Sequence, residues 1–233
     1  MVEKNIIAVI PARGGSTRIP HKNIIDFLGK PLLAWTIEAV KNSGCFDRII
    51  VSTDDEEIAN VAIDCGIEVP FLRNKYADNA SSVIAAALYS AEQAEVYFKQ
   101  KYTDIAVFQA TTPLRDSIDV KNVYDFYIKN DELCVTTANK YNMNPWWCAI
   151  LDDKNKPTFL LSSPDKCNSQ SSPHIICPNG AITMFNKEWF KKTQNIYSDE
   201  LKMYELSWKH SVDIDDYDDI EMAKLLYKLN GGK

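Results

Sequence analysis

Apolar residues in this chain fall into two kinds of run, and the two alternate. Short continuous runs such as Ile6-Ile-Ala-Val-Ile10 read as strands buried on both faces, whereas longer stretches with apolar positions three and four apart read as amphipathic helices. Strands are expected at residues 5–11, 48–53, 68–72, 105–110, 133–137 and 181–185, and helices at 32–42, 56–65, 82–99, 187–192 and 218–229. A further helix runs to about residue 129, with Ser117 or Asp119 as its cap. Strands separated by helices require crossover connections, so the pattern predicts an α/β fold: one three-layer α/β/α domain with a mainly parallel sheet.

The regularity stops between residues 140 and 177, where Pro, Asn, Ser and Lys dominate. Apolar pieces at 146–151 and 158–161 have the composition to pair as a hairpin, and composition alone equally allows a loop. No repeat, low-complexity tract or linker is visible, so residues 1–233 are read as one domain with 140–177 as an insertion.

Composition narrows the classes of partner. At 233 residues the chain is long enough to bury roughly 70% of its unfolded surface. Lys and Arg number 26 against 32 Asp and Glu, a net charge of −6, which disfavours nucleic acid and anionic lipid, so any anion site must be a local concentration of cations. Apolar runs are too short to span a membrane, and Glu3 and Lys4 precede a strand pattern, so a cytoplasmic protein without a secretory signal is expected. Six cysteines without C-x-x-C spacing read as reduced thiols, not as a disulfide framework or a zinc knuckle.

The first strand runs into Pro11-Ala-Arg-Gly-Gly-Ser16, followed by Arg18 and Lys22. Gly14 and Gly15 permit close approach of backbone N–H groups to an anion, Ser16 adds a hydroxyl, and Arg13, Arg18 and Lys22 supply the charge that a triphosphate needs. The loop lacks the spacing of a Walker A motif and of a dinucleotide fingerprint. Near the other end of the chain, Asp213 and Asp215 stand two apart in Ser211-Val-Asp-Ile-Asp215, which in a strand puts both carboxylates on one face and Ile214 in the core. Two hard oxygen ligands on one face suit Mg²⁺. The neighbouring Asp216, Asp218 and Asp219 fit equally well with helix capping and a solvated turn.

Four segments in order, the loop with Ile19-Pro-His-Lys-Asn23 and Leu28-Gly-Lys-Pro-Leu32, then Ile49-Ile-Val-Ser-Thr-Asp-Asp55, Gln109-Ala-Thr-Thr-Pro-Leu-Arg115, and Pro178-Asn-Gly-Ala181 with the Asp213/Asp215 segment, resemble the acylneuraminate (sialic acid type) cytidylyltransferases over nearly the whole chain. The resemblance implies a Rossmann-like nucleotidyltransferase sheet and transfer of CMP from CTP to a nine-carbon acidic sugar of sialic, legionaminic or pseudaminic type, with release of pyrophosphate. It implies Arg13, Lys22, Asp213 and Asp215 as catalytic residues, and Asp213 and Asp215 as ligands of Mg²⁺, with Asp213 either a second ligand or the acceptor of the sugar's proton. Nucleotide contacts carried over are Ala12, Arg13, Gly14, Gly15, Ser16, Lys22 and Asn23, with Arg73, Asn79, Ala80 and Ser82 for the base. Gln109, Thr111, Thr112 and Asn179 are expected at the sugar, while Arg115 is expected to anchor the turn into the next helix. Residues 140–177 correspond to the family's dimerisation element, which implies a homodimer.

The chain departs from that pattern in places. Thr17 stands where the family usually has Lys, Cys177 where sialic acid members have Arg, no Arg occurs around 168–172, and Trp147 is near an expected Lys. These departures weaken the sugar half more than the nucleotide half. They leave room for another acidic acceptor, a Kdo-like sugar or a phosphonate, and for a weakly active nucleotide-binding relative.

Overall fold

The computed structural model describes residues 4–76, 82–140, 145–161 and 174–232. Six strands form the central sheet: β1 (Ile6–Pro11), β4 (Arg48–Ser52), β5 (Asp104–Phe108), β6 (Cys134–Lys140), β9 (Ile176–Asn186) and β10 (Leu201–Glu205), in the order β10-β6-β9-β5-β1-β4. Only β9 runs antiparallel to its neighbours β5 and β6. The mainly parallel sheet expected from the sequence is therefore present.

Strand alternation explains the three layers. In β1, Ile6, Ala8 and Ile10 join one core with α1 (Leu32–Ser43), α2 (Glu56–Asp64) and α4 (Ser117–Lys129). Ile7 and Val9 point the other way, into a core with α3 (Val83–Phe98) and α5 (Lys187–Thr193). A third cluster packs α6 (Tyr217–Leu229) through Ile220, Ala223 and Leu226 against Ile19, Phe27, Leu32, Leu114 and Ile214. That cluster brings the basic loop beside the Asp213/Asp215 segment, with Lys22 and Asp215 in contact across 193 positions of sequence, because burying Ile214 fixes the chain on either side of it.

Several expectations are corrected. Residues 68–72 form no strand: Glu68 makes only an isolated bridge to Ile50. The α4 cap is Asp116, whose carboxylate accepts from Ile118 and Asp119 N–H in a capping box, rather than Ser117 or Asp119. Strand β9 starts at Ile176, well before residue 181. The edge strand β10 has no counterpart in the sequence reading, since Lys202 and Glu205 interrupt its apolar positions. In the insertion, β7 (Ala149–Leu151) pairs antiparallel with β8 (Pro157–Phe159), the hairpin that the composition allowed. A two-residue pair, β2 (Asp26–Phe27) with β3 (Lys30–Pro31), leads into α1. No disulfide forms among the described residues, and burial pushes the Cys134 thiol up to about 12.

Candidate functional site

Two cavities open at the carboxyl end of the parallel strands and share Val83 and Gln109. The first, of about 280 Å³, is lined by Arg13, Ser16, Thr17, Arg18, Lys22, Asn23, Arg73, Gln109, Thr111, Asp213 and Asp215, with Tyr76 and Val83 among the rest. The sequence-predicted cations and carboxylates thus converge on one space.

Local bonds fix the loop that carries the cations. Ala12 extends the β1–β4 pairing by donating its N–H to Ser52 O, so its side chain is buried instead of facing the cavity. Gly14 N–H donates to Asp54 Oδ1 at 3.0 Å, and a Cβ built on Gly14 would lie 2.6 Å from Asp55 Oδ2, so the close approach of the acidic turn requires glycine there. Gly15 has nothing near that a Cβ would meet. Asn23 is buried and donates its side-chain N–H to Arg13 O at 2.9 Å, so it shapes the loop from beneath.

Segment 211–215 pairs in no sheet, which corrects the strand expected there. The same alternation arises by other means. Ile214 N–H donates to Thr111 O at 2.8 Å while its side chain is fully buried, and Asp213 and Asp215 both face the cavity. The capping reading of the acidic run holds, because Asp216 caps α6 and Asp219 Oδ2 accepts from Asp215 and Asp216 N–H.

The two carboxylates differ electrostatically. Burial pushes the Asp213 carboxyl up, against the hydrogen bond donated by Thr111 Oγ1, and the Asp215 charge pushes it further up. Burial also raises Asp215, yet Lys22 at 2.9 Å and Arg18 at 2.8 Å hold it below the usual carboxylate range. Lys22 also donates to Ile214 O at 2.7 Å, tying the loop directly to the acidic segment. Arg73 is buried, donates to Ser52 O and Oγ, and has a buried Nε without a partner; burial lowers its pKa.

The second cavity, of about 450 Å³, is lined by Ser82, Ile84, Val107, Thr136, Asn179, Gly180, Thr183, Phe190, Gln194, Asn195, Ile196 and Tyr197 besides the shared pair. Gln109 stands between the two spaces, with its buried Oε1 unpartnered. Ser82 occupies the cap position of α3 without a side-chain cap bond. Thr112 is corrected: its side chain is fully buried, donating to Gln109 O and accepting from Arg115 Nη1, which leaves it no face toward either cavity. Arg115 is a buried anchor, donating also to Ala181 O and Thr36 Oγ1. Asn79 and Ala80 lie outside the described residues. Residues lining the second cavity from 190–197 carried no motif and were not foreseen.

Asp116, Asp119 and His210 also cluster within reach of one metal ion. Their oxygens already serve the α4 capping box, and His210 Nδ1 lies 2.8 Å from Asp119 Oδ2, so the group acts as a clasp at the helix start.

A parallel sheet ending in a cationic loop that faces paired carboxylates defines the nucleotidyltransferase class of α/β protein. The chain matches the family model described as cytidylyltransferase over residues 7–222, and it belongs to that family. It is 34% identical to pseudaminic acid cytidylyltransferase of Campylobacter jejuni across 96% of this chain and 97% of that protein. It is 33% identical to CMP-N,N'-diacetyllegionaminic acid synthase of Legionella pneumophila, across 97% of each chain. In fold it is similar to the solved CMP:2-keto-3-deoxy-manno-octonic acid synthetase complexed with CTP, with a TM-score of 0.70, 16% identity and coverage of 97% of this chain and 99% of that one. No helix among the described residues is long and apolar enough to cross a membrane.

Proposed function

We propose that this cytidylyltransferase moves CMP from CTP to a nine-carbon acidic sugar of the pseudaminic, legionaminic or sialic type, releasing pyrophosphate. The observation that carries the reading is the pair of joined cavities, one cationic with two carboxylates and one uncharged, meeting at Gln109. A triphosphate matches the first, and the polyhydroxylated, acylamino body of the sugar matches the second.

In this reading Arg13, Arg18 and Lys22 neutralise the phosphates, and Lys22 and Arg18 exchange Asp215 for phosphate oxygens as CTP enters. Arg73, with its unpartnered Nε, serves the base together with backbone groups near Ser82. Thr111, Gln109 and the Asn179–Gly180 turn orient the acceptor. An oxygen of the sugar then attacks the α-phosphorus in line, a step driven by positioning and by neutralising the charge that develops.

Asp213 and Asp215 would hold Mg²⁺. Their donor set fits, being two hard oxygen ligands that face one cavity, and a cation there would relieve the Asp215 repulsion that adds to burial in raising Asp213. An ion held there would supply charge neutralisation to the transfer step. Asp213, bonded to Thr111, is otherwise the group placed to take the acceptor's proton.

No Lys, Arg or His is among the described residues lining the second cavity. The acceptor carboxylate is attached to the carbon that bears the attacking hydroxyl, so it lies toward the cationic cavity, with the acylamino tail in the uncharged one. We further read the enzyme as a cytoplasmic homodimer joined through residues 140–177, because Ile150 and Leu151 of the hairpin are 63% and 59% exposed. Pyrophosphate release with CTP, a panel of nine-carbon keto acids and excess chelator tests the reading. Turnover should need all three of CTP, one acid and free Mg²⁺, and undiminished turnover in the chelator would overturn the metal assignment. Light scattering at assay concentration tests the dimer.

A further inference from the structure

Strand β6 meets β9 in register at Thr136↔Thr183 and again at Ala138↔Pro178, so one residue on β6 faces four on β9. The surplus, residues 179–182, bulges out at the mouth of the second cavity, and side chains replace the missing ladder. Thr137 Oγ1 accepts from Ile182 N–H at 3.0 Å and donates to Asn179 Oδ1 at 2.6 Å. The next side chain along, Asn139, spends its whole amide on three separate pieces of chain. Its Nδ2 donates to Ser211 Oγ at 2.7 Å and to Leu206 O at 2.9 Å, and its Oδ1 accepts from Asn179 Nδ2 at 2.8 Å. Ser211 in turn donates to Ser207 O at 3.0 Å and begins the segment that carries Asp213 and Asp215.

We propose that Asn139 is a positioning residue that sets the carboxylate segment and the acceptor bulge in register with one another. No other kind of side chain of that size offers two donors and an acceptor in one plane. Asp would present only acceptors to Leu206 O, and Leu would leave Leu206 O and Asn179 Nδ2 unpaired and strip Ser211 Oγ of its donor. The position does not touch either cavity, so its effect must pass through Ser211 on one side and Asn179 on the other. The inference rests on the proposed reading of Asp213 and Asp215, and it adds that the two halves of the site are coupled by a single amide.

The test compares Asn139→Ala, Ser211→Ala and the double variant with a control, Tyr127→Phe, which removes a buried bond to Asp104 elsewhere on the sheet. Mn²⁺ affinity in the presence of CTP, read by electron paramagnetic resonance, and kcat and KM for each substrate are measured. Asn139→Ala should weaken Mn²⁺ about ten-fold and lower kcat about ten- to a hundred-fold, with acceptor KM raised and CTP KM within about two-fold. The double variant should cost little more than Asn139→Ala, since both act on one bond. Tyr127→Phe should lower the melting temperature and leave Mn²⁺ affinity and kcat in place. If Asn139→Ala fails to fold, Ser211→Ala alone carries the test, because it removes one arm only. Mn²⁺ affinity and kcat unchanged in the variants, or additive losses in the double variant, would overturn the proposal. A wild-type protein that binds Mn²⁺ with CTP but turns over no acid in the panel would instead sink the functional reading, and the Mn²⁺ measurement would still decide the role of Asn139.

Discussion

The two cavities are built on opposite principles although they share a wall. The first gathers Arg13, Arg18, Lys22 and Arg73 around Asp213 and Asp215, and its geometry is held by ion pairs and by a loop bonded to its own backbone. The second carries no acidic or basic side chain among its described lining residues, and its shape comes from a bulge and from the packing of Phe190 and Ile196. In the proposed reading, charge serves where the ligand has charge to be neutralised, and a neutral lining where the ligand is to be distinguished by shape and hydrogen bonding. Substitutions in the first cavity should therefore strike rate and nucleotide affinity, and those in the second should strike acceptor affinity.

The largest expected effect is that of Asp215→Ala, which should lower turnover by about a thousand-fold or more while leaving acceptor binding in place. Its carboxylate is 42% exposed, so the fold should survive, and thermal melting checks this. Retained wild-type kinetics would reduce the acidic segment to a cap for α6. Lys22→Ala should raise the CTP KM as well as lower the rate, because it removes a phosphate cation and the bond to Ile214 O together.

Gly180→Ala should show the opposite signature. Gly180 sits at φ +66°, and a Cβ there would lie 2.9 Å from Gln109 Nε2, so alanine strains the backbone by about 1 kcal/mol and displaces the residue that divides the cavities. The acceptor KM should rise about ten-fold with the CTP KM nearly unchanged. Equal increases in both would show that the cavities are not separable. Tyr197→Ala, at an exposed edge of the second cavity, should raise the acceptor KM by only about three-fold with kcat preserved.

The same contrast governs what the sequence revealed. Charged groups clustered in short motifs made the first cavity legible, and Arg13, Lys22, Arg73, Asp213 and Asp215 all reach it. The second draws Val107, Thr136, Phe190 and Tyr197 from two strands, a helix and a loop, none of them marked by a motif, so tertiary packing alone brings them together. Thr112 was misread for a related reason. It belongs to the same Gln109-Ala-Thr-Thr run as Thr111, yet successive side chains diverge, and Arg115 draws Thr112 inward. Most strands and helices were legible because their periodicity was strong. Strand β10 was not, because none of the residues of this edge strand is buried and Lys202 and Glu205 break its apolar run.

The smallest effect on catalysis, and a clear one on stability, belongs to Glu95, which joins α3 to α5 through Lys187. Its carboxylate accepts from Lys187 Nζ, from Tyr102 N–H at 3.0 Å and from Lys101 Nζ at 2.9 Å, with both Glu95 and Lys187 buried. Burial pushes the carboxyl up, but these hydrogen bonds outweigh it and hold the pKa at about 2, below the ordinary 4.5. Because the folded value is the lower one, the unfolded chain takes up the proton first. The stabilisation is therefore complete above about pH 4.5 and is lost as the pH falls toward 2, roughly 3 kcal/mol in all and roughly 2 kcal/mol of it between pH 5 and pH 3. Glu95→Gln cannot titrate and leaves Lys187 buried without its counter-charge, so it should be less stable at neutral pH, and the gap from wild type should narrow by that amount as the pH is lowered. Urea unfolding of both proteins at a series of pH values measures the gap, and one that stays constant from pH 5 to pH 3 would remove the pair as the source of acid sensitivity. Acceptor KM at neutral pH should remain within about two-fold, since neither residue of the pair lines the second cavity.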